Sequence, residues 1–450
     1  AGLEKYCRSY LDFASAAKTE REFHDDAREL VEAAGYVVLE GEEDEAPAAA
    51  LKPGDRVYRS CWGKTMLLAH IGKRPVEEGV HIVGGHTDAP RLDAKPVPVY
   101  EDSQLGLLDT HYYGGIKKYQ WTAIPLAIHG VVVRESGETV DIRIGEDPAD
   151  PVFCITDLLP HLGKEQAKKK LGDAVPGENL NVLIGNVPVD DSESGDAVKR
   201  GILQFLHDAY GLTEEDFASA ELEIVPAGPA REMGLDRSMM LGYAHDDRVC
   251  AYGALRALLD LEETPEYTAV VLLCDKEEIG SVGATGMQGR FFENSIAELL
   301  ARQAEGPVDL AVRRCLERSR MISADVNVLH DPNYPDVSSP NNAAWLNAGV
   351  VVAKYTGSRG KSGANDANAE FMAVLRRIFN QAGVIWQTGE LGKVDQGGGG
   401  TIALFLARYG IEVVDCGPGL LSMHAPWEVV GKLDAYMAYK GYRAFLTDTR

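Results

Sequence analysis

The sequence predicts an α/β protein, with a parallel or mixed sheet covered by helices and interrupted by a β-rich insertion. Strand-like apolar runs alternate with amphipathic helical stretches toward both ends of the chain, the pattern of a helix-covered sheet. The run from Thr268 to Cys274 is apolar almost throughout, as expected of a strand buried on both faces. Between about 95 and 235 the texture changes to closely spaced β-type runs, which reads as an inserted second domain.

In chain order, residues 11–35 place apolar and charged side chains at helical spacing, with Leu11, Phe13, Ala17, Leu30, Val31 and Ala34 facing inward. The acidic, alanine-rich stretch from Glu40 to Ala50 reads as a loop. Strand signals follow at Arg56-Val57-Tyr58, at 65–71 and at 80–84, the last stopping abruptly at Gly85-His86-Thr87-Asp88-Ala89-Pro90. The insertion carries β-type runs at 127–133 and 140–144, and a charged, mobile-looking stretch at 190–196. Beyond it come a helix from Val249 to Leu261, the apolar strand at 268–274, a helix from Ala367 to Ala382 and a strand at 411–415.

Composition narrows the function. The 450 residues allow about three domains at ~150 residues each. Hydrophobic residues at 45% and charged residues at 25% are ordinary globular values and exclude a disordered chain. No run of ~18 uncharged apolar residues occurs, so no membrane-spanning helix is expected. A net charge of −24 repels phosphate backbones and argues against nucleic-acid partners. The seven cysteines are scattered, without a C-x-x-C pair, and read as free thiols in a reducing compartment. The opening residues Ala1-Gly2-Leu3-Glu4-Lys5 lack the layout of a secretory signal, and the expected location is cytoplasmic.

Five segments place Asp, Glu or His just past an apolar run: His86-Thr87-Asp88, His245-Asp246-Asp247, Asp275-Lys276-Glu277-Glu278, Ser323-Ala324-Asp325 and Ser422-Met423-His424. Strand carboxyl ends in an α/β sheet open onto the crevice where ligands bind. Singly, each segment has an ordinary structural reading: Asp246 as a helix cap, Glu277-Glu278 as a solvated pair. Adjacent like charges at the end of a buried strand are costly without a cation between them. Together, two imidazoles and three carboxylates suit a pair of Zn²⁺ ions, or Co²⁺ or Mn²⁺ in their place. Two such metals can polarise a carbonyl and supply a hydroxide nucleophile at neutral pH.

These segments resemble the aspartyl aminopeptidase/aminopeptidase I family of dinuclear zinc metallopeptidases. The matching stretches are His86-Thr87-Asp88-Ala89-Pro90, Asp246-Asp247-Arg248, Asp275-Lys276-Glu277-Glu278-Ile279-Gly280-Ser281, Ser323-Ala324-Asp325 with Pro332-Asn333-Tyr334 beyond, and Ser422-Met423-His424. Their order and spacing fit from about residue 5 to the C-terminus. The resemblance implies a zinc-exopeptidase-type α/β/α sandwich with a mixed sheet, formed by 1–95 and 236–450, and a β-rich dimerisation domain at 96–235. It implies His86, Asp246, Glu278, Asp325 and His424 as ligands to two metals per chain, with Asp246 bridging. Asp88 would orient His86, and Glu277 would be the general base that takes a proton from the attacking water. The segment around Pro160-His161-Leu162 resembles the family stretch whose His reaches a neighbouring subunit's site to stabilise the oxyanion. His129 is weighed for that role and read as a strand residue instead. A dodecamer built from dimers is implied as well.

The implied activity is release of N-terminal residues, acidic or leucine-like, from peptides. An acidic preference needs a cation in the pocket, and Lys361 in the glycine-rich run 357–363 is the candidate. Rival readings are a carboxypeptidase or N-acyl amino-acid deacylase on the same fold, and a non-catalytic scaffold. Nucleotide binding is set aside, because Gly360-Lys361-Ser362 lacks the required glycine at position 355, which is Tyr355. No G-x-S-x-G elbow supports a serine hydrolase.

Overall fold

The computed structural model describes residues 2–39, 50–189, 195–303 and 307–450. The expected loop at 40–50 falls outside the described residues except for Ala50, and the charged stretch at 190–196 does so for 190–194. The chain divides into two compact units. The first comprises 1–88, 230–423 and 428–450, and the second 89–229 and 424–427.

The first unit is built on a nine-stranded mixed sheet. Its inner strand Thr268–Cys274 is buried at every position, pairing antiparallel with Thr65–His70 and parallel with Val80–His86. The strand Arg320–Ser323 then pairs parallel on the far side of Val80–His86. Side chains alternate between two cores, because successive residues of a strand point to opposite faces. Val271 and Leu273 join Val83, Ile322 and Val414 in one cluster, beneath the helices Gly2–Ala16, His245–Leu259, Ala369–Gln381 and Lys432–Leu446. Val270 and Leu272 join Ile82, Met321 and Val413 in the other, against Phe291–Ala301, Asp309–Arg318 and Ala403–Ala407. The result is an α/β/α sandwich. A smaller five-stranded sheet in the same unit holds Arg231–Met233, Met239–Gly242, Glu428–Gly431, Gly419–Leu421 and Asn327–Val328.

The periodic stretch at 11–35 is not one helix. Gly2–Ala16 stops, and Glu20–Ala33 restarts behind a capping box in which Thr19 and Glu22 bond each other's main-chain N–H. The second unit is a six-stranded antiparallel sheet with the helix Ala197–Tyr210. Its longest strand, Arg91–Asp102, shifts register between Ala94 and Val99.

Candidate active site

Three adjacent strands that run in the same direction carry most of the site. Val80–His86 lies between Thr268–Cys274 and Arg320–Ser323, so their carboxyl ends open together. His86 ends the middle strand. Glu277 and Glu278 follow one neighbour on the 3-10 turn Glu277–Ile279, and Asp325 follows the other, two residues past Ser323. Asp246 arrives differently. It opens the helix His245–Leu259 together with Asp247, both off helical geometry.

Two of the five segments come from a second sheet. The Asp246 and His424 segments follow Met239–Gly242 and Gly419–Leu421, strands of the five-stranded sheet. Those short runs read locally like any core strand. Long-range pairing, such as Met239 with Gly431, decides their sheet, and periodicity carries no trace of it.

His86 is the hub. Its Nε2 lies 3.3 Å from Asp246 Oδ1 and 4.0 Å from Glu277 Oε2. Its main-chain N–H donates to Asp247 Oδ2 at 3.2 Å. A Cβ at position 85 would stand 2.8 Å from that same Asp247 oxygen, so glycine there permits the approach. The ring Nδ1 is 2.9 Å from the Asp88 carbonyl oxygen and 3.3 Å from Asp88 Oδ1. With Nδ1–H donating to Asp88, the Nε2 lone pair faces the carboxylates. The Asp88 carboxylate also holds the next loop, since Oδ1 accepts the Glu277 N–H at 3.1 Å and Oδ2 the Glu278 N–H at 3.2 Å. One side chain thus holds both the imidazole and the turn bearing the two glutamates.

Burial pushes the Asp247 carboxyl well above the usual range, with His86 opposing and Asp246 adding to the rise. Burial does the same to Asp325, reinforced by Asp247. Burial alone would lower the His86 imidazole, but its hydrogen bonds to Asp246 and Asp88 outweigh that and raise it. Donor atoms of His86, Asp247 and Asp325 lie within 4.8 Å of one another, as do those of His86, Glu277 and Glu278. Carboxylates gathered this densely around one imidazole are costly in a low-dielectric site unless cations sit among them. Nitrogen and oxygen donors of this kind fit Zn²⁺, Co²⁺ or Mn²⁺.

Two participants are missing from the sequence-based donor set. Asp247 is fully buried beside His86, and its adjacency to Asp246 was the available signal. Glu428 accepts the Asp246 main-chain N–H at 2.9 Å from 182 residues away, with no local motif to reveal it. Of the remaining sequence-predicted residues, His424 groups with the second unit, where its Nδ1 lies 2.8 Å from the Gly115 carbonyl oxygen. His161 is exposed on a turn of the second unit, whereas His129 is fully buried with Nε2 3.2 Å from Glu146 Oε1. Lys361 is exposed in the first unit, its Nζ 2.8 Å from Asp366 Oδ2 and 3.9 Å from the centre of the Tyr355 ring.

A family model described as aminopeptidase I zinc metalloprotease (M18) matches residues 13–446. A probable M18 family aminopeptidase 1 of Clostridium acetobutylicum is 51% identical, over 98% of this chain and 94% of the relative. The crystal structure of an M18 family aminopeptidase from Thermotoga maritima matches with a TM-score of 0.94 at 45% identity, over 99% of this chain and 96% of that one. The structure of an S. cerevisiae mApe1 dodecamer, 22% identical, shares the fold with a TM-score of 0.79 over 99% and 97% of the two chains. Likeness on this scale leaves the carboxypeptidase, deacylase and scaffold readings without support: the chain belongs to the aminopeptidase I (M18) family of zinc metalloproteases and is a metallo-aminopeptidase.

Proposed function

We propose that the protein releases single residues from the free N-terminus of peptides, with two divalent metals held by His86, Asp246, Glu278, Asp325 and His424, and with Glu277 as general base. The observation that carries this reading is the position of Glu277 Oε2, 4.0 Å from the same His86 Nε2 that faces Asp246. When bound, the metals acidify water and polarise the scissile carbonyl. Asp88 orients His86 and fixes the glutamate turn. Glu277 accepts the proton of the attacking water and returns it to the leaving amine. The test is aminoacyl-arylamide hydrolysis before and after prolonged chelation, with elemental analysis of the protein. About two metals per chain and loss of activity on chelation are expected; a metal-free chain with full activity overturns the reading.

For the substrate side chain, Lys361 is proposed to read an acidic residue. Lys354 and Lys361 share the single carboxylate of Asp366, at 2.9 and 2.8 Å. An acidic substrate side chain would replace Asp366 as the partner of the exposed Lys361 ammonium. A leucine-like preference stays as the alternative, and the substrate selectivity of Lys361→Ala decides between them.

Assembly through residues 96–235 is proposed on the apolar surface of the second unit, where Val152, Leu158, Leu159, Leu162, Val187 and Phe205 are exposed. The dodecameric form of mApe1 supports a dodecamer here. His161 would then act in a neighbouring subunit's site. Co-assembly of His161→Ala with Glu277→Gln subunits, each inactive alone, restores partial activity if it does, and none if it does not. A cytoplasmic location is proposed on the seven free cysteines.

A further inference from the structure

Arg248 follows the two aspartates that open the helix His245–Leu259, and it is 2% exposed. A guanidinium taken this far from water ordinarily meets a carboxylate. Here its hydrogen bonds run to main-chain carbonyls: Nε donates to Thr87 O at 3.0 Å, and Nη1 to Ala17 O at 3.1 Å. The guanidinium carbon also lies 5.5 Å from the centre of the Tyr243 ring.

Thr87 stands between His86 and Asp88. Its own N–H and Oγ1 both donate to the Cys274 carbonyl, at 2.8 and 3.1 Å. Cys274 ends the strand that leads into Asp275 through Glu278. The guanidinium therefore ties the helix start bearing Asp246 to the loop bearing His86 and Asp88. Through Thr87 it also reaches the strand end that precedes Glu277. Its second arm fixes both to the break between the helices Gly2–Ala16 and Glu20–Ala33. An arginine suits this work because its donors lie in a rigid planar fork, which lysine lacks.

We infer that Arg248 is a positioning residue: a buried brace that sets the distance between His86 and Asp246 by holding the Thr87 and Ala17 carbonyls. The inference rests on the donor set proposed above. Both arms are engaged by carbonyls, so the role is to hold the donors in place rather than to touch substrate. Donor sets tolerate little slack, and supporting hydrogen bonds of this kind typically change metal affinity 10–100-fold when removed.

The experiment titrates Co²⁺ into the metal-free wild type, Arg248→Lys and Arg248→Met, reading affinity and the visible absorption of the bound ion. Thermal unfolding of the metal-free proteins is measured alongside. Arg248→Lys keeps the charge but not the fork, and should bind Co²⁺ about 10-fold more weakly with an altered spectrum. Arg248→Met should lose about 100-fold if it folds. A folded Arg248→Lys protein with wild-type affinity and a superimposable spectrum overturns the brace, whatever its melting temperature, while leaving the donor set intact. A wild type that binds no Co²⁺ overturns the donor set, and the brace with it.

Discussion

Glu277 and Asp246 both face His86 Nε2, yet the chemistry assigned to them differs, and substitution separates the two roles. Glu277→Gln keeps the shape and removes the proton acceptor, so metal content stays and kcat falls about 10²–10⁴-fold. Asp246→Ala removes a carboxylate proposed to hold the metals, so metal content itself should fall. Near-normal turnover by Glu277→Gln would show that the base lies elsewhere. Lys361 is tested through selectivity. With arylamides of Asp, Glu and Leu, Lys361→Ala should lose kcat/KM on the two acidic substrates and keep it on leucine; equal losses on all three exclude the charge-reading role. How readily the sequence shows such residues depends on whether their signal is local. His86, Glu277, Glu278 and Asp325 stand just past apolar strand runs. Glu428 and the Ala17 carbonyl take part through folding alone, meeting Asp246 and Arg248 across 182 and 231 residues.

At the scale of elements, the break between the first two helices is the instructive case. Apolar spacing continues through Ala17 and Ala34, so periodicity alone reads past the break. What stops the helix is polar: Thr19 Oγ1 accepts the Glu22 N–H at 3.1 Å, and Glu22 Oε2 accepts the N–H groups of Thr19 and Lys18 at 3.0 and 2.7 Å. The Thr19-x-x-Glu22 spacing is a recognised helix start and was legible in principle. Thr19→Ala takes away the acceptor of the Glu22 N–H and should lower stability by about 1 kcal/mol in urea unfolding. No change in the midpoint would show that packing alone fixes the restart. The buried strand Thr268–Cys274 was easier to read because its signal, unbroken apolarity, is entirely local.

Across the whole molecule, buried ionisable groups set how stability responds to pH. Burial pulls His70, His81 and His245 down to about 4, so each stays neutral in the folded state where the unfolded chain, near 6.5, is protonated. These three cost stability as pH falls from about 6.5 to about 4. Burial raises Asp415 to about 6 and Asp434 to about 7, and these keep protons that the unfolded chain has lost, so they oppose the trend in the same window. His81 lies between the rings of Tyr267 and Phe445, at 4.7 and 5.0 Å, where a phenyl ring fits. His81→Phe should therefore reduce the slope of unfolding free energy between pH 6 and pH 4.5 by about 1 kcal/mol per pH unit. An unchanged slope would mean that His81 titrates normally. The strand order of the large sheet has one more consequence, in time. Val80–His86 is finished only when Thr268–Cys274 and Arg320–Ser323 close on either side of it, with residues 89–229 of the second unit synthesised in between. At ~5–20 residues per second, His86 leaves the ribosome about 10–50 s before Asp325 does. Through that interval the growing chain acquires the neighbours of His86 one segment at a time, Asp88 first, then Asp246, then Glu277 and Glu278, with Asp325 after them. The three strand ends that gather these side chains therefore close together only late in synthesis, and a chain cut short before Arg320–Ser323 lacks that arrangement.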